Sequence, residues 1–129
     1  MDVVGYADHS SAQLGAHIIN LKRPTAQIEQ DAARQAFEAQ HIPIATAAER
    51  VRHIVDCAFA GRRIVIFSGG AGVFDDDKLL DEIRAIHVGG GCGSIIGRNS
   101  FQRPKKDALR MLGAVMDVYA GAPHRDGNH

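Results

Sequence analysis

The sequence predicts an α/β domain built on a parallel sheet. Short apolar runs rich in β-branched residues alternate with longer segments of helical periodicity, and each run ends in a glycine- or proline-containing turn that leads into a helix. The runs are AHIINL (16–21), RRIVIFSGG (62–70) and CGSIIGR (92–98). At 129 residues the chain is one domain at most and is long enough to bury a core. Residues 1–121 read as that domain, and the polar end 122–129 reads as a flexible tail.

The elements follow in order. Residues 2–14 bring Val3, Ala7, Ser10 and Leu14 to one face of a helix. The first strand is apolar enough to be buried, and it delivers Asn20, Lys22 and Arg23 to its carboxyl end. Alternation puts Asn20 and Lys22 on the same face. Thr25 is a plausible N-cap for a helix carrying Ile28, Ala32, Ala36 and Phe37. Thr46-Ala-Ala-Glu49 is a capping box, followed at helical spacing by Val51, Ile54, Val55, Ala58 and Phe59, with Gly61 suited to the left-handed stop.

RRIVIFSGG is too apolar to be half exposed, so a fully buried parallel strand fits it best. Asp75-Asp76-Asp77 stands where a helix begins, opposing the positive end of its dipole, ahead of Leu79, Leu80, Ile83 and Ile86. This capping role fits the acidic run better than a metal site does. Glycines 89–91 end that helix. Pro104 suits the first turn of a last helix bearing Leu109, Leu112, Met116 and Tyr119.

Composition narrows the function. Lys plus Arg and Asp plus Glu are equal at 15 each, so no basic excess points to nucleic acid. No apolar run approaches the roughly 20 residues that a membrane span needs. The amino terminus lacks the regions of a signal peptide, which makes a cytoplasmic location the expectation. Cys57 and Cys92 lie far apart and read as two buried thiols. The seven His residues form no HxH or HExxH pattern, so no metal and no cofactor are expected.

Two glycine turns carry the chemistry. The second strand ends in Ser68-Gly69-Gly70 and the third in Gly97-Arg98, each leading toward a helix. Glycine lets backbone amides approach an anion, helix amino ends favour negative charge, and Arg98 adds a cation with several donors. Either turn alone would read as a plain strand-to-helix turn. The two in consecutive units match the phosphate site that TIM (β/α)8 barrels place after their last two strands.

RIVIFSGG, followed by GSIIGRNSFQRP and a helix ending in VMDVYAG, resembles the bacterial branch of the DhnA-type class I fructose-bisphosphate aldolases. GAHIINLKRPT is similar to that family's GADIIKxKxPT segment. The resemblance covers nearly the whole chain but aligns it with only the last three strands of a TIM barrel, the sixth to the eighth. It implies reversible cleavage of fructose 1,6-bisphosphate into glyceraldehyde 3-phosphate and dihydroxyacetone phosphate through a lysine Schiff base. Ser68, Gly69, Gly70, Gly97 and Arg98 would then hold a phosphate.

The family's Schiff-base lysine is the first Lys of its K-x-K, and that position is Asn20 here. An amide nitrogen is not nucleophilic and forms no imine. Lys22 matches the second Lys and is the alternative amine. It lies roughly 6–7 Å further along the strand, a large displacement where errors of ~1 Å already cost about a hundredfold. Lys22 therefore reads better as a phosphate-side or solvated charge at the mouth. The family's acid–base carboxylate and tyrosine fall in the part not aligned, and Tyr6 does not match.

The expectation is a sugar-phosphate-binding aldolase fragment, inactive alone, that self-associates or pairs with a chain supplying the missing barrel strands. The competing expectation is a stand-alone, non-catalytic sugar-phosphate binding or assembly module.

Overall fold

The computed structural model describes residues 1–68 and 75–121. In chain order the elements are α1 (Asp2–Gln13), β1 (Ile18–Lys22), α2 (Asp31–Ala39), α3 (Ala47–Cys57), β2 (Ile64–Ser68), α4 (Asp76–Val88), β3 (Gly93–Ile95), α5 (Arg98–Phe101) and α6 (Lys105–Tyr119). The strands form one parallel sheet in the order β1-β2-β3, with β1 and β3 as open edges. Among the described residues, no helix is long and apolar enough to cross a membrane. The expected tail, 122–129, lies outside the described residues.

The core lies on one face of the sheet. Ile19, Val65 and Phe67 point into it and meet Val51, Ile54, Val55 and Ile86 of α3 and α4. A smaller cluster joins Leu79, Leu80 and Ile83 of α4 to Met111 and Val115 of α6. Among the described residues the other face is uncovered, with Ile18 60% and Ile64 46% exposed. This corrects the expectation that the first two strands are buried throughout. The expectation assumes cover on both faces, whereas here only alternate residues are buried.

Local chemistry explains most boundaries. Thr46 accepts from the Glu49 amide at 3.2 Å while Glu49 accepts from the Thr46 amide at 2.8 Å, completing the capping box of α3. Asp75 caps α4, accepting from the amides of Asp77 and Lys78. Those bonds, the one from Lys78 foremost, hold its carboxyl below the usual range. At the other end of α4, a Cβ on Gly89 would come within 2.5 Å of Val51, and one on Gly91 within 2.6 Å of Ile86. Between them Gly90 takes a φ of 92°. The three glycines let α4 press against α3 and turn directly into β3.

Several helix expectations need correction. Thr25 is not a cap: the helix starts at Asp31, because the Asp2 carboxylate captures the amides of Glu29 and Gln30 at 2.9 and 3.0 Å and keeps that segment extended. α3 ends at Cys57, and Phe59 and Ala60 take left-handed φ values of 57° and 54° before Gly61. α6 buries Met111 and Val115 and exposes Leu109 and Met116, since its main contact is α4, which meets the 111/115 stripe. Cys57 is half-buried, its thiol pushed up mainly by burial, whereas Cys92 is exposed; both are free thiols.

The face of α1 also differs, burying Gly5, Asp8 and Ala12 while Val3 and Leu14 are exposed. Asp8 is fully buried, and neither carboxylate oxygen has a hydrogen-bond partner among the described residues. Burial pushes its pKa up to about 6, with the neighbouring His9 opposing the shift. Cys57 of α3 lies close enough to feel the Asp8 charge, and His53 lies beside Cys57.

A folded pKa above the unfolded value near 3.8 means that stability is fully present below that value and is lost as pH rises through about 6. Asp8→Asn should therefore leave stability little changed near pH 4 and raise it by on the order of 2–3 kcal/mol at pH 7 relative to wild type. Denaturant melts of both proteins across that range measure the difference; a flat difference would show that Asp8 is not desolvated.

Candidate functional site

The parallel register sets the open face in rows. Ile18 lies beside Ile64; Asn20 beside Ile66, and Ile66 beside Gly93; Lys22 beside Ser68, and Ser68 beside Ile95. Lys22 and Ser68 therefore share the row nearest the carboxyl ends, with neighbouring strands about 4.8 Å apart. Asn20 lies one row deeper, and both Asn20 and Lys22 are exposed. The expected shared face of these two residues is thus present.

Ser68 is half-buried and donates from Oγ to the carbonyl of Leu21 at 3.3 Å, tying the ends of β1 and β2 together. Gly97 is the N-cap of α5 and Arg98 its first residue, so the chain leaves β3 sooner than CGSIIGR suggested. Ser100 Oγ donates back to the Gly97 carbonyl at 2.8 Å and fixes the turn. With four residues, α5 contributes only a small dipole, so charge and donors at this end come chiefly from the Arg98 guanidinium. Asn99, next in the chain, is buried.

A cavity of about 270 Å³ opens beside these turns, between β2, β3 and α4. Ser68, Gly97 and Arg98 line it together with Arg23, Glu82 and Phe101. Leu79, Ile83 and Ile86 make its inner wall apolar. The structure thus brings together three of the five residues expected at a phosphate site. The other two, Gly69 and Gly70, lie outside the described residues. Asn20 and Lys22 do not line the cavity. Their side chains belong to the sheet's open face.

Two lining residues carry charges that sequence reasoning left without a role. Arg23 follows Lys22 at the end of β1 and pairs with Glu82 of α4 at 2.5 Å. Arg23 was visible as a cation at a strand end. Glu82 had no comparable signal, because nothing in the local pattern tells which side of α4 faces the mouth of β1.

No family model matches the sequence. A protein of Chlamydia trachomatis serovar D described as a probable class 1 fructose-bisphosphate aldolase is 33% identical over 128 residues. One of Chlamydia pneumoniae with the same description is 33% identical over 132 residues. The resemblance to the class I fructose-bisphosphate aldolases is borne out. Each match takes in 92% of this chain and 35% of the relative, so the chain spans about a third of the length of these aldolases.

Among solved structures, an archaeal fructose 1,6-bisphosphate aldolase superposes with a TM-score of 0.68 at 23% identity, covering 94% of this chain and 38% of that one. A second archaeal aldolase, whose catalytic Lys is covalently bound to the carbinolamine intermediate of the substrate, gives 0.65 at 21% identity. At these identities the likeness concerns the fold. The three parallel strands and their helices are part of the α/β barrel of the aldolases, as expected from the alternating units.

Proposed function

We propose that the chain grips the phosphate of a sugar phosphate at the carboxyl ends of β2 and β3, within an aldolase framework whose covalent catalyst it lacks. One observation carries this reading: Ser68, Gly97 and Arg98, singled out by the two glycine turns, line a single cavity. Gly97 adds support. A Cβ there would meet Phe101 only at 3.7 Å, an ordinary contact, so packing does not require glycine at this position. The backbone there, at φ -101° and ψ -94°, lies outside the regions that residues with a Cβ favour, and the absent side chain leaves it open to an anion. Gly69 and Gly70 are proposed as further backbone ligands by the same reasoning.

The reaction of the whole framework would be reversible cleavage of fructose 1,6-bisphosphate. A lysine amine attacks the substrate ketone, and the resulting iminium draws electrons from the carbon–carbon bond that breaks. Asn20 occupies the position that the resemblance assigns to this lysine, and it cannot form the iminium. Lys22 lies in the row of Ser68 but does not line the cavity, which supports its reading as a solvated charge at the mouth. The chain by itself would then be a sugar-phosphate binding or assembly module.

In an NMR titration, inorganic phosphate or dihydroxyacetone phosphate should shift the amides of Gly69, Gly70, Gly97 and Arg98. Arg98→Ala should weaken the response by about 1–3 kcal/mol, the scale of a lost hydrogen bond to a charged group. Shifts confined to Lys22 and residues 122–129 would instead indicate non-specific binding of charge.

Borohydride reduction in the presence of dihydroxyacetone phosphate should leave the protein mass unchanged. Asn20→Lys alone should not produce turnover, since the acid–base residues of the framework have no counterpart here. An adduct on Lys22, found by mass spectrometry, would overturn the non-covalent reading.

The uncovered face supports a partner. Ile18, Ile64 and Ile95 are 60%, 46% and 47% exposed on that face, and β1 and β3 have unpaired edges. We propose that the isolated chain self-associates over this face, or pairs with a chain supplying further barrel strands. Sedimentation velocity should show an average mass that rises with concentration, falling back when a complementary chain is added. A concentration-independent monomer would rule this out.

A further inference from the structure

The wall of the phosphate cavity contains an ion pair that the proposed grip does not use. Arg23, immediately after β1, meets Glu82 from the middle of α4 at 2.5 Å, and both line the cavity that holds Ser68, Gly97 and Arg98. The same two residues also line a second cavity of about 260 Å³ between α3 and α4, whose other charged residues are Arg50 and Asp81. The pair therefore separates two cavities. Each partner's side chain is 31% exposed, so water screens their attraction and the pair can be exchanged at small cost.

Resting on the phosphate reading of this cavity, we infer that Arg23 is a second cationic ligand of the bound phosphate, kept in place by Glu82 and handed over when the anion arrives. A carboxylate lining an anion site is otherwise a liability, because like charge opposes the ligand. Paired with Arg23 it is neutralised, and an arriving anion competes with it for the guanidinium. A phosphate dianion offers Arg23 more charge and more acceptor oxygens than a carboxylate does, so the guanidinium gains by changing partner. The exchange leaves Glu82 on the wall of the second cavity, which Arg50 also lines while its guanidinium donates to the carbonyls of Ile44 and Ala45. Two guanidiniums converging on one cavity select a doubly charged phosphate monoester over a singly charged anion.

The test titrates inorganic phosphate into the 129-residue chain, read by amide shifts, for wild type, Arg23→Gln, Arg23→Lys, Glu82→Gln, the double variant R23Q/E82Q and Arg98→Ala. The same spectra report whether each variant is folded. Removing the Glu82 charge should tighten phosphate binding about two- to fivefold, and Arg23→Gln should weaken it by a similar factor. Arg23→Lys should retain part of the affinity. The gain from Glu82→Gln should disappear in the double variant, since Glu82 acts through Arg23.

If Arg98→Ala weakens phosphate while the Arg23 and Glu82 variants match wild type, the exchange is wrong and the grip stands. A gain from Glu82→Gln that persists without Arg23 also overturns the exchange, reducing Glu82 to simple repulsion. If no variant binds phosphate, Glu82→Gln included, both readings fall.

Discussion

Val65 and Phe67 of β2 are completely buried, while Ile64 on the same strand is 46% exposed. Among the described residues, helices cover one side of the sheet and leave the other open, and this asymmetry arranges everything else. Fully burying a side chain such as Val, Ile or Phe is worth roughly 1.5–3 kcal/mol. The row Ile19, Val65 and Phe67 therefore fixes which face of each strand turns inward, and it outweighs a single desolvated carboxyl at Asp8. A one-residue slip in β1 would bury Asn20 and Lys22 against α3 and α4. The positions of Asn20, Lys22 and Ser68 on the open face are consequences of that apolar register, set at a distance from any ligand.

Much of this was legible in local chemistry. The Thr46–Glu49 box and the Asp75 cap each act within a few residues, so their partners stand beside them in the chain. The failures share the opposite property. Thr25 has the right residue type for a cap, yet Asp2, 27 residues before Glu29, decides where α2 begins. α6 offers two apolar stripes, and only its contact with α4 selects Met111 and Val115 over Leu109 and Met116. The apolar run of β2 expresses one buried face and one uncovered face, which composition cannot tell apart from two buried faces.

The site divides the same way. Ser68, Gly97 and Arg98 stand at strand ends, where parallel topology alone brings neighbouring turns together, so the pattern of two glycine turns pointed to three residues that line one cavity. Glu82 lies in the middle of a helix. Its partner Arg23 is 59 positions away by number, and only the packing of α4 against the sheet brings the two together. Charge pairing between elements of that separation leaves no periodicity to read.

Geometry also separates the cavity from position 20. The cavity residues come from the ends of the three strands, from α4 and from α5, whereas Asn20 lies on the open face of β1, one row deeper than Lys22 and Ser68. Asn20 does not line the cavity, so its side chain forms no part of the wall. The link between the two regions runs through backbone: Ser68 Oγ donates to the Leu21 carbonyl, and β1 pairs with β2 from Ile18 to Lys22. Neither bond depends on the side chain at position 20. The apolar register that places Ser68, Gly97 and Arg98 around one cavity is therefore independent of the side chain at position 20.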